Sequence, residues 1–234
     1  MLQPHLKYII FTTVLARDLI SDVVPALKTS DTGEQALNWM EIFRIKHLPI
    51  VNHQQFLGLI SDQDILDLNN VKEAIGNHEL SLTRPFVTDN QHIYEVIEVL
   101  SRLKLTLVPV LNAESNYLGC ITQEDLTREF ANLSAMQHPG GILVLEMNDN
   151  DYSLTEIAGI VEGNNARILS LYVSTAPGIQ RLSVTLKLNI NDLTAIITTF
   201  ERYKYTVSAT YMNSRDMDDF YQDRFDEFIN YLNI

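Results

Sequence analysis

Cysteine and basic side chains are scarce in this sequence, and both shortages restrict what the protein can be. Cys120 is the only cysteine among 234 residues, which excludes an intramolecular disulfide and any CxxC metal or redox site. We therefore expect a reducing, cytoplasmic location. Only 17 Lys and Arg oppose 30 Asp and Glu, and the formal net charge of -13 repels phosphate backbones and anionic lipid. Nucleic acid and membranes are accordingly not expected as partners.

Long hydrophobic runs and catalytic motifs are also absent from the sequence. No stretch reaches the ~18 consecutive apolar residues that a membrane-spanning helix requires, and the N-terminus lacks a signal-peptide pattern. No G-x-S-x-G, HExxH or Walker motif occurs, and the six histidines stand singly. We therefore expect a soluble, non-catalytic protein that requires no metal or cofactor.

The sequence does contain an internal repeat, in which two segments follow the same order of patterns about 60 residues apart. Each copy predicts a helix followed by two apolar strands and a second helix. The first helix covers residues 34–43 in one copy and 93–103 in the other. The strands are almost continuously apolar, which is typical of sheets covered by helices, so we expect the mixed α/β (α+β) class.

A short motif in each copy resembles the CBS domain. It reads Leu-Pro-Ile-Val at 48–51 with Gly-Leu-Ile-Ser-Asp-Gln-Asp at 58–64, and Val-Pro-Val-Leu at 108–111 with Gly-Cys-Ile-Thr-Gln-Glu-Asp at 119–125. Two such motifs in phase resemble the tandem arrangement called a Bateman module. We expect the first CBS domain at residues 10–70 and the second at 71–135.

The Ser/Thr and Asp of each motif stand at the predicted start of the second helix. A helix N-terminus carries unpaired N–H groups and a partial positive charge, so Ser61 and Thr122 lie where a phosphate oxygen can bind. Asp64 and Asp125 follow one turn later, where a carboxylate can accept from a ribose diol. Phosphate plus ribose indicates a nucleotide. The same spacing also serves helix capping, worth about 1 kcal/mol without any ligand, and both interpretations stay open.

The resemblance to CBS pairs implies the class of ligand and the place of its base. It implies AMP, ADP, ATP or a related adenosyl compound such as S-adenosylmethionine in the cleft between the repeats. Adenine would lie against the backbone at the strand entrances, which are here Lys46-His47 and Thr106-Leu107. His47 is either a contact to the base or a partly buried packing residue.

Charge distinguishes the two copies. The helix after Ser61 is acidic and has no basic residue nearby in sequence, whereas Arg128 follows Asp125 by three residues in the second copy. We therefore expect a phosphorylated ligand at Thr122, Asp125 and Arg128. The alternative is that Arg128 merely pairs with Glu124 at helical spacing.

The segment at 140–212 follows a different pattern, in the order βαββαβ of a ferredoxin-like split βαβ fold. Its strand-turn-helix-strand at 150–171 resembles ACT domains, in which an Asp-x-x-Gly turn often admits a small ligand, commonly an amino acid. Asn150 and Ser153 occupy the matching places, so a dimerisation sheet is the preferred interpretation and amino-acid binding the alternative. Residues 213–234 predict a C-terminal amphipathic helix with an acidic face.

The order CBS-CBS-ACT is similar to bacterial acetoin-utilisation proteins of the B type. We expect a regulatory homodimer that binds an adenine nucleotide or another adenosyl ligand and relays binding through the ACT-like module to an unidentified protein target. The competing hypothesis is a constitutive dimeric scaffold whose ligand clefts are degenerate and empty.

Overall fold

The computed structural model of the chain describes residues 14–21, 23–80, 82–175 and 181–212. The chain separates into two compact units, Met1–Glu129 and Phe130–Ile234, each with its own buried core. The amphipathic helix predicted at 213–234 lies outside the described residues. Within the described ranges, no helix is long and apolar enough to cross a membrane.

The first unit contains the order helix, strand, strand, helix twice, as the repeat predicts, and a short strand that was not predicted precedes the second copy. In chain order they are α1 (Gly33–Phe43), β1 (His47–Asn52), β2 (Gln55–Ser61), α2 (Asp62–Leu66), β3 (Val87–Thr88), α3 (Ile93–Leu103), β4 (Leu107–Leu111), β5 (Tyr117–Thr122) and α4 (Gln123–Leu133). β1 pairs with β2 and β4 with β5 in antiparallel hairpins, while β3 adds to β4 in parallel. The mixed α and β class is confirmed.

Local sequence explains where the two longer helices before the hairpins begin and end. Thr32 caps α1, since its side chain accepts a hydrogen bond from the Gln35 N–H at 3.2 Å, and His92 caps α3. α1 is followed by Arg44 at φ 53° and α3 by Lys104 at φ 54°. This left-handed conformation, uncommon outside glycine, turns the chain from each helix toward the next strand at the same place in both copies.

The two repeats exchange short segments across their sheets, which the sequence did not predict. Ser21, which precedes the first helix, donates its N–H to the Cys120 carbonyl on β5 at 2.8 Å. In the equivalent contact, the Leu59 N–H on β2 donates to the Thr83 carbonyl at 2.9 Å. Each hairpin is therefore extended by a piece of chain that belongs to the other copy.

A glycine in each hairpin makes room for the exchanged segment. A Cβ on Gly119 would lie 2.4 Å from Cγ2 of Ile20, and a Cβ on Gly58 would lie 2.6 Å from Cβ of Leu82. Both distances are shorter than carbon atoms tolerate without displacement. The glycine of the repeated motif is thus explained by packing of a neighbouring segment.

The hydrophobic core of the first unit is shared by the two copies. Ile50 and Ile60 from the first hairpin and Val110 and Ile121 from the second are all fully buried in one cluster. Burying such a side chain stabilises a fold by about 1.5–3 kcal/mol relative to leaving it exposed. The repeats therefore form one structure, and their hairpins are held in a fixed relation by this cluster.

The second unit contains a single antiparallel sheet with two helices. Its elements are β6 (Ile142–Asn148), α5 (Leu154–Gly163), β7 (Ile168–Thr175), β8 (Arg181–Leu188), α6 (Thr194–Arg202) and β9 (Thr206–Tyr211). The strand order is β7-β8-β6-β9, and every neighbouring pair is antiparallel. The predicted βαββαβ plan of a ferredoxin-like fold is confirmed.

Alternating burial along the strands places the helices on one face of this sheet. Leu143, Leu145 and Met147 on β6 are buried in the same cluster as Ile157 of α5 and Phe200 of α6. The residues between them on β6 are only partly buried, which is the period-two pattern of a sheet covered on one side.

Two glycine substitutions in the second unit are expected to act in opposite directions. A Cβ on Gly140 would lie 1.9 Å from the Leu188 carbonyl oxygen at φ 141°, whereas a Cβ on Gly159 in α5 would meet no atom within 4 Å. Gly140→Ala should lower the free energy of unfolding by more than about 1 kcal/mol. Gly159→Ala should raise it by up to about 1 kcal/mol, since alanine is the better helix former. Urea unfolding of the full chain, followed by far-UV circular dichroism, tests both; destabilisation by Gly159→Ala would contradict the exposed position of that glycine.

Candidate functional site

The repeated motif forms two equivalent corners where a hairpin runs into a helix. Ser61 closes β2 and caps α2: its Oγ accepts from the Asp64 N–H at 3.1 Å. Thr122 closes β5 and plays the same part for α4, accepting from the Asp125 N–H at 3.1 Å. Local sequence thus sets both helix starts.

The carboxylates at both corners take part in this capping. Asp64 Oδ2 accepts from the Ser61 N–H at 2.8 Å and from the Ser61 hydroxyl at 2.7 Å. Asp125 Oδ2 accepts from the Thr122 hydroxyl at 2.6 Å. The capping interpretation is therefore correct as a description of the geometry. Each carboxylate keeps a second oxygen, and that oxygen distinguishes the two corners.

Arg128 occupies the second oxygen at the second corner. Its guanidinium forms an ion pair with Asp125 Oδ1 and lies 3.9 Å from Glu124 Oε1. The side chain of Arg128 is 62% exposed and that of Asp125 only 20% exposed. The predicted alternative pairing with Glu124 is present but long, and the main partner of Arg128 is the candidate ligand residue Asp125.

The N–H groups at the two helix starts also differ. At α2 the Asp62 N–H donates to the Lys46 carbonyl at 3.0 Å, and the Gln63 N–H donates to the Asp62 carboxylate at 2.9 Å. At α4 the Gln123 N–H donates to the Thr106 carbonyl at 3.1 Å, but no acceptor in the described part of the chain meets the Glu124 N–H. The start of α4 therefore has a free donor where α2 has a carboxylate.

The structure brings the two predicted strand entrances into direct contact. The Thr106 hydroxyl accepts from the Lys46 N–H at 2.9 Å and lies 3.0 Å from His47 Nδ1. The Thr106 N–H also donates to His47 Nδ1, at 3.3 Å. Leu107, at the start of β4, is fully buried in the shared core. Lys46, His47 and Thr106 thus form one junction between the repeats, and no pattern in the sequence predicts these hydrogen bonds.

The junction and the corners are joined through the backbone. The Lys46 carbonyl holds the first N–H of α2 and the Thr106 carbonyl holds the first N–H of α4. An alignment of the two copies pairs Lys46 with Thr106 and Asp62 with Gln123, which is the only signal in the sequence for this connection. Each entrance is consequently one backbone hydrogen bond away from a helix start.

Burial has the largest effect on the pKa of His47. Desolvation lowers the pKa of its imidazole below the usual 6.5, and nearby Lys46 acts in the same direction. The carboxylates of Asp62 and Asp64 raise the pKa but do not compensate. The imidazole is therefore neutral near pH 7, in agreement with Nδ1 accepting the Thr106 N–H.

Cys120 lies two residues before Thr122 but is not a nucleophile in this setting. It is fully buried, and burial raises the pKa of its thiol to about 11. The thiolate, which is the reactive form, is therefore scarce near pH 7. No group of three or more His, Cys, Asp and Glu in the described ranges is arranged to hold a metal ion.

The second unit has a separate cavity at the turn that resembles ACT domains. A cavity of about 520 Å³ is lined by Asn148, Asp149, Asn150, Asp151, Thr175, Arg181 and Leu182. Ser153, at the glycine place of the Asp-x-x-Gly turn, has an ordinary extended φ of -135° and caps α5 by accepting from the Glu156 N–H. The backbone here does not require glycine.

Comparison with known proteins identifies the repeats. The CBS domain family matches residues 16–70 and 79–132. Inosine-5'-monophosphate dehydrogenase of Methanocaldococcus jannaschii is 24% identical over 113 residues, which are 47% of this chain and 22% of the enzyme. The chain thus spans about a fifth of that relative's length.

Solved structures similar to this chain cover about half of it. A CBS domain pair/ACT domain protein of Thermotoga maritima is 18% identical, with 51% of this chain and 98% of that chain covered and a TM-score of 0.45. The CBS domains of a transcriptional regulator of Streptococcus pneumoniae are 21% identical, with 50% and 99% covered and a TM-score of 0.44. CBSX2 of Arabidopsis thaliana, solved in complex with AMP, is 20% identical, with 50% and 96% covered and a TM-score of 0.43.

The family match falls on both copies of the repeat, and it spans the hairpins and both helix corners described above. Residues 16–70 and 79–132 are therefore two CBS domains, and together they form a tandem CBS pair.

Proposed function

We propose that this chain is a regulatory protein whose CBS pair binds an adenine nucleotide or another adenosyl ligand between its repeats. CBS pairs are commonly regulatory sensors of such ligands, and they are typically not catalytic. The proposal for this chain has support of its own in the start of α4. The free Glu124 N–H and the Arg128 guanidinium lie about one helical turn apart on α4, beside the Thr122 hydroxyl that donates to Asp125.

The start of α4 is the proposed phosphate site. A helix N-terminus and a guanidinium both favour an anion, and charge-assisted hydrogen bonds contribute about 1.5–3 kcal/mol each. Arg128 is mostly exposed, so it can turn from Asp125 to a phosphate at modest cost. Asp125, once released, is the proposed acceptor for a ribose diol. The free N–H of Glu124 beside Arg128 is the single observation that carries this assignment.

The strand entrances are the proposed base site. Lys46, His47, Thr106 and Leu107 lie at the junction between the repeats, where a flat base could take the Lys46 and Thr106 N–H groups from their present acceptors, the Thr106 hydroxyl and His47 Nδ1. Ser61 and Asp64 form the weaker proposed site, because Asp62 places a carboxylate on the helix start where a phosphate would lie.

The second unit is proposed to be an ACT-like relay that connects the CBS pair to a partner. Its ferredoxin-like sheet supports the assignment of 140–212 as ACT-like, and a homodimer formed through this module is part of the proposal. The order of domains also supports membership among proteins similar to the acetoin-utilisation B type. A cytoplasmic location and an unidentified protein target complete the proposal.

The alternative function is a constitutive scaffold with empty clefts. The observation that favours it is the first corner, where Ser61 and Asp64 cap each other and the first two N–H groups of α2 donate to the Lys46 carbonyl and the Asp62 carboxylate. A corner of this kind needs no ligand to be satisfied. Ligand titration decides between the two functions.

Calorimetric titration with AMP, ADP, ATP and S-adenosylmethionine tests the sensor. At least one ligand should bind, and Asp125→Ala should weaken binding roughly 10- to 100-fold, as expected for loss of a hydrogen bond to a charged group. Asp64→Ala is the matched control, because it removes the same capping bond from the other corner and should leave the affinity nearly unchanged. No heat from any of the four ligands would exclude the sensor and favour the scaffold.

Removing the charge of Arg128 tests the position of the phosphate. Arg128→Gln should weaken AMP and ATP binding roughly 10-fold or more, while S-adenosylmethionine, which carries no phosphate, should bind as before. Arg102→Gln is the matched control, since Arg102 is equally exposed (61%) and pairs with Glu98 on α3. An equal loss for all three ligands would place Arg128 in a structural role instead.

A further inference from the structure

The hydrogen bonds between His47 and Thr106 join the two repeats at the proposed base site. His47 belongs to the entrance of the first repeat and Thr106 to that of the second. Nδ1 of His47 accepts a hydrogen bond from the Thr106 N–H at 3.3 Å and lies 3.0 Å from the Thr106 hydroxyl. The Thr106 hydroxyl in turn accepts a hydrogen bond from the Lys46 N–H at 2.9 Å. Two backbone donors are therefore satisfied only while this junction is closed.

The direction of these bonds depends on the protonation of one nitrogen. The Thr106 N–H can only donate, so Nδ1 must carry a lone pair, and the proton of the neutral ring must be on Nε2. If Nδ1 is protonated, its contact with the Thr106 hydroxyl can reverse direction, but its contact with the Thr106 N–H becomes donor against donor. Protonation therefore removes the acceptor of a partly buried N–H.

The groups around His47 set how readily it takes up a proton. Lys46 on the same strand entrance and burial of the ring oppose the charged form, whereas Asp62 and Asp64 on α2 favour it. The contact from the second repeat is through Thr106, which is uncharged. Burial has the largest effect on the pKa of His47, so the ring is neutral while the junction is closed.

We propose that His47 is a proton-controlled latch between the two CBS repeats, which holds Thr106 when neutral and releases its N–H when protonated. The consequence for ligand binding rests on the proposed function, whereas the latch itself does not. A base that takes a hydrogen bond from Thr106 must displace His47, and a protonated His47 has already released this donor. The imidazolium also attracts an anionic ligand. Acidification should therefore favour nucleotide binding.

The effect on stability follows from the same proton. The unfolded chain takes up a proton on this histidine near pH 6.5, and the folded chain does so only at lower pH. The unfolded state then binds more protons, so the wild type loses stability as the pH falls below about 6.5. By reciprocity, a ligand that opens the latch should raise the proton affinity of His47 and take up protons on binding.

The first experiment measures urea unfolding of the full chain between pH 5 and 8. His47→Asn is the test variant, because its amide oxygen lies near the place of Nδ1 and accepts a hydrogen bond but does not titrate. His53→Asn is the control, since His53 is exposed in the β1–β2 turn at φ 58°, a conformation that asparagine tolerates. The wild type and His53→Asn should lose stability below about pH 6.5 by more than His47→Asn does. Coinciding pH profiles for all three proteins would overturn the latch.

A second measurement serves if His47→Asn does not fold. Nitrogen-15 NMR of the wild type reports the state of each imidazole nitrogen directly. The His47 ring should carry its proton on Nε2 at pH 7.5 and should titrate below 6.5. A proton on Nδ1 at pH 7.5 would overturn the latch.

The ligand part is tested by titrating AMP and S-adenosylmethionine at pH 5.5 and 7.5. The affinity of the wild type should rise several-fold at pH 5.5 relative to that of His47→Asn. Calorimetry in buffers of different ionisation heat should show that binding takes up protons. Comparison with His47→Asn cancels the titration of the AMP phosphate itself. Equal pH dependence in both proteins would overturn the coupling to ligand. Absence of binding at both pH values would exclude that coupling and the proposed function together. The pH dependence of unfolding would then be the test of the latch.

Discussion

The arrangement of the CBS pair depends on one steric constraint, the absence of a Cβ at Gly58 and Gly119. At these two places a segment of the other repeat packs directly against the hairpin, with Leu82 over Gly58 and Ile20 over Gly119. Side chains there would push the exchanged segments away and break their backbone hydrogen bonds to Leu59 and Cys120. The exchange ties each repeat to the other, so neither sheet is complete without its neighbour.

The same steric constraint also determines which residues meet at the candidate site. Because the hairpins are locked together, their first residues meet, and Lys46, His47 and Thr106 satisfy one another's polar groups across the junction. The carbonyls of Lys46 and Thr106 then hold the first N–H groups of α2 and α4. The junction and both helix starts therefore form one connected hydrogen-bond network.

Within this near-symmetric frame, a few side chains make the two corners chemically different. Asp62 turns its carboxylate onto the start of α2, whereas the matching residue on α4 is the neutral Gln123. Arg128 adds a positive charge beside Asp125. A duplicated structure thus has one corner where a carboxylate accepts the second N–H of the helix and one where that N–H is left for an anion.

The sequence by itself determined the repeat, the order helix, strand, strand, helix in each copy, the βαββαβ order of the second unit, and Ser61 and Thr122 as capping residues. These follow from local physics: apolar periodicity sets helix and strand, and a Ser or Thr three residues before an acid sets a helix start. The charge difference between the corners was also visible, because Arg128 and Asp62 lie within a few residues of the motif. Only the tertiary structure decided that segments are exchanged, that Arg128 pairs mainly with Asp125, and that His47 meets Thr106. Those contacts join residues that are far apart in the chain or depend on rotamer choice, and no periodic pattern encodes which distant backbone a glycine or a histidine will face.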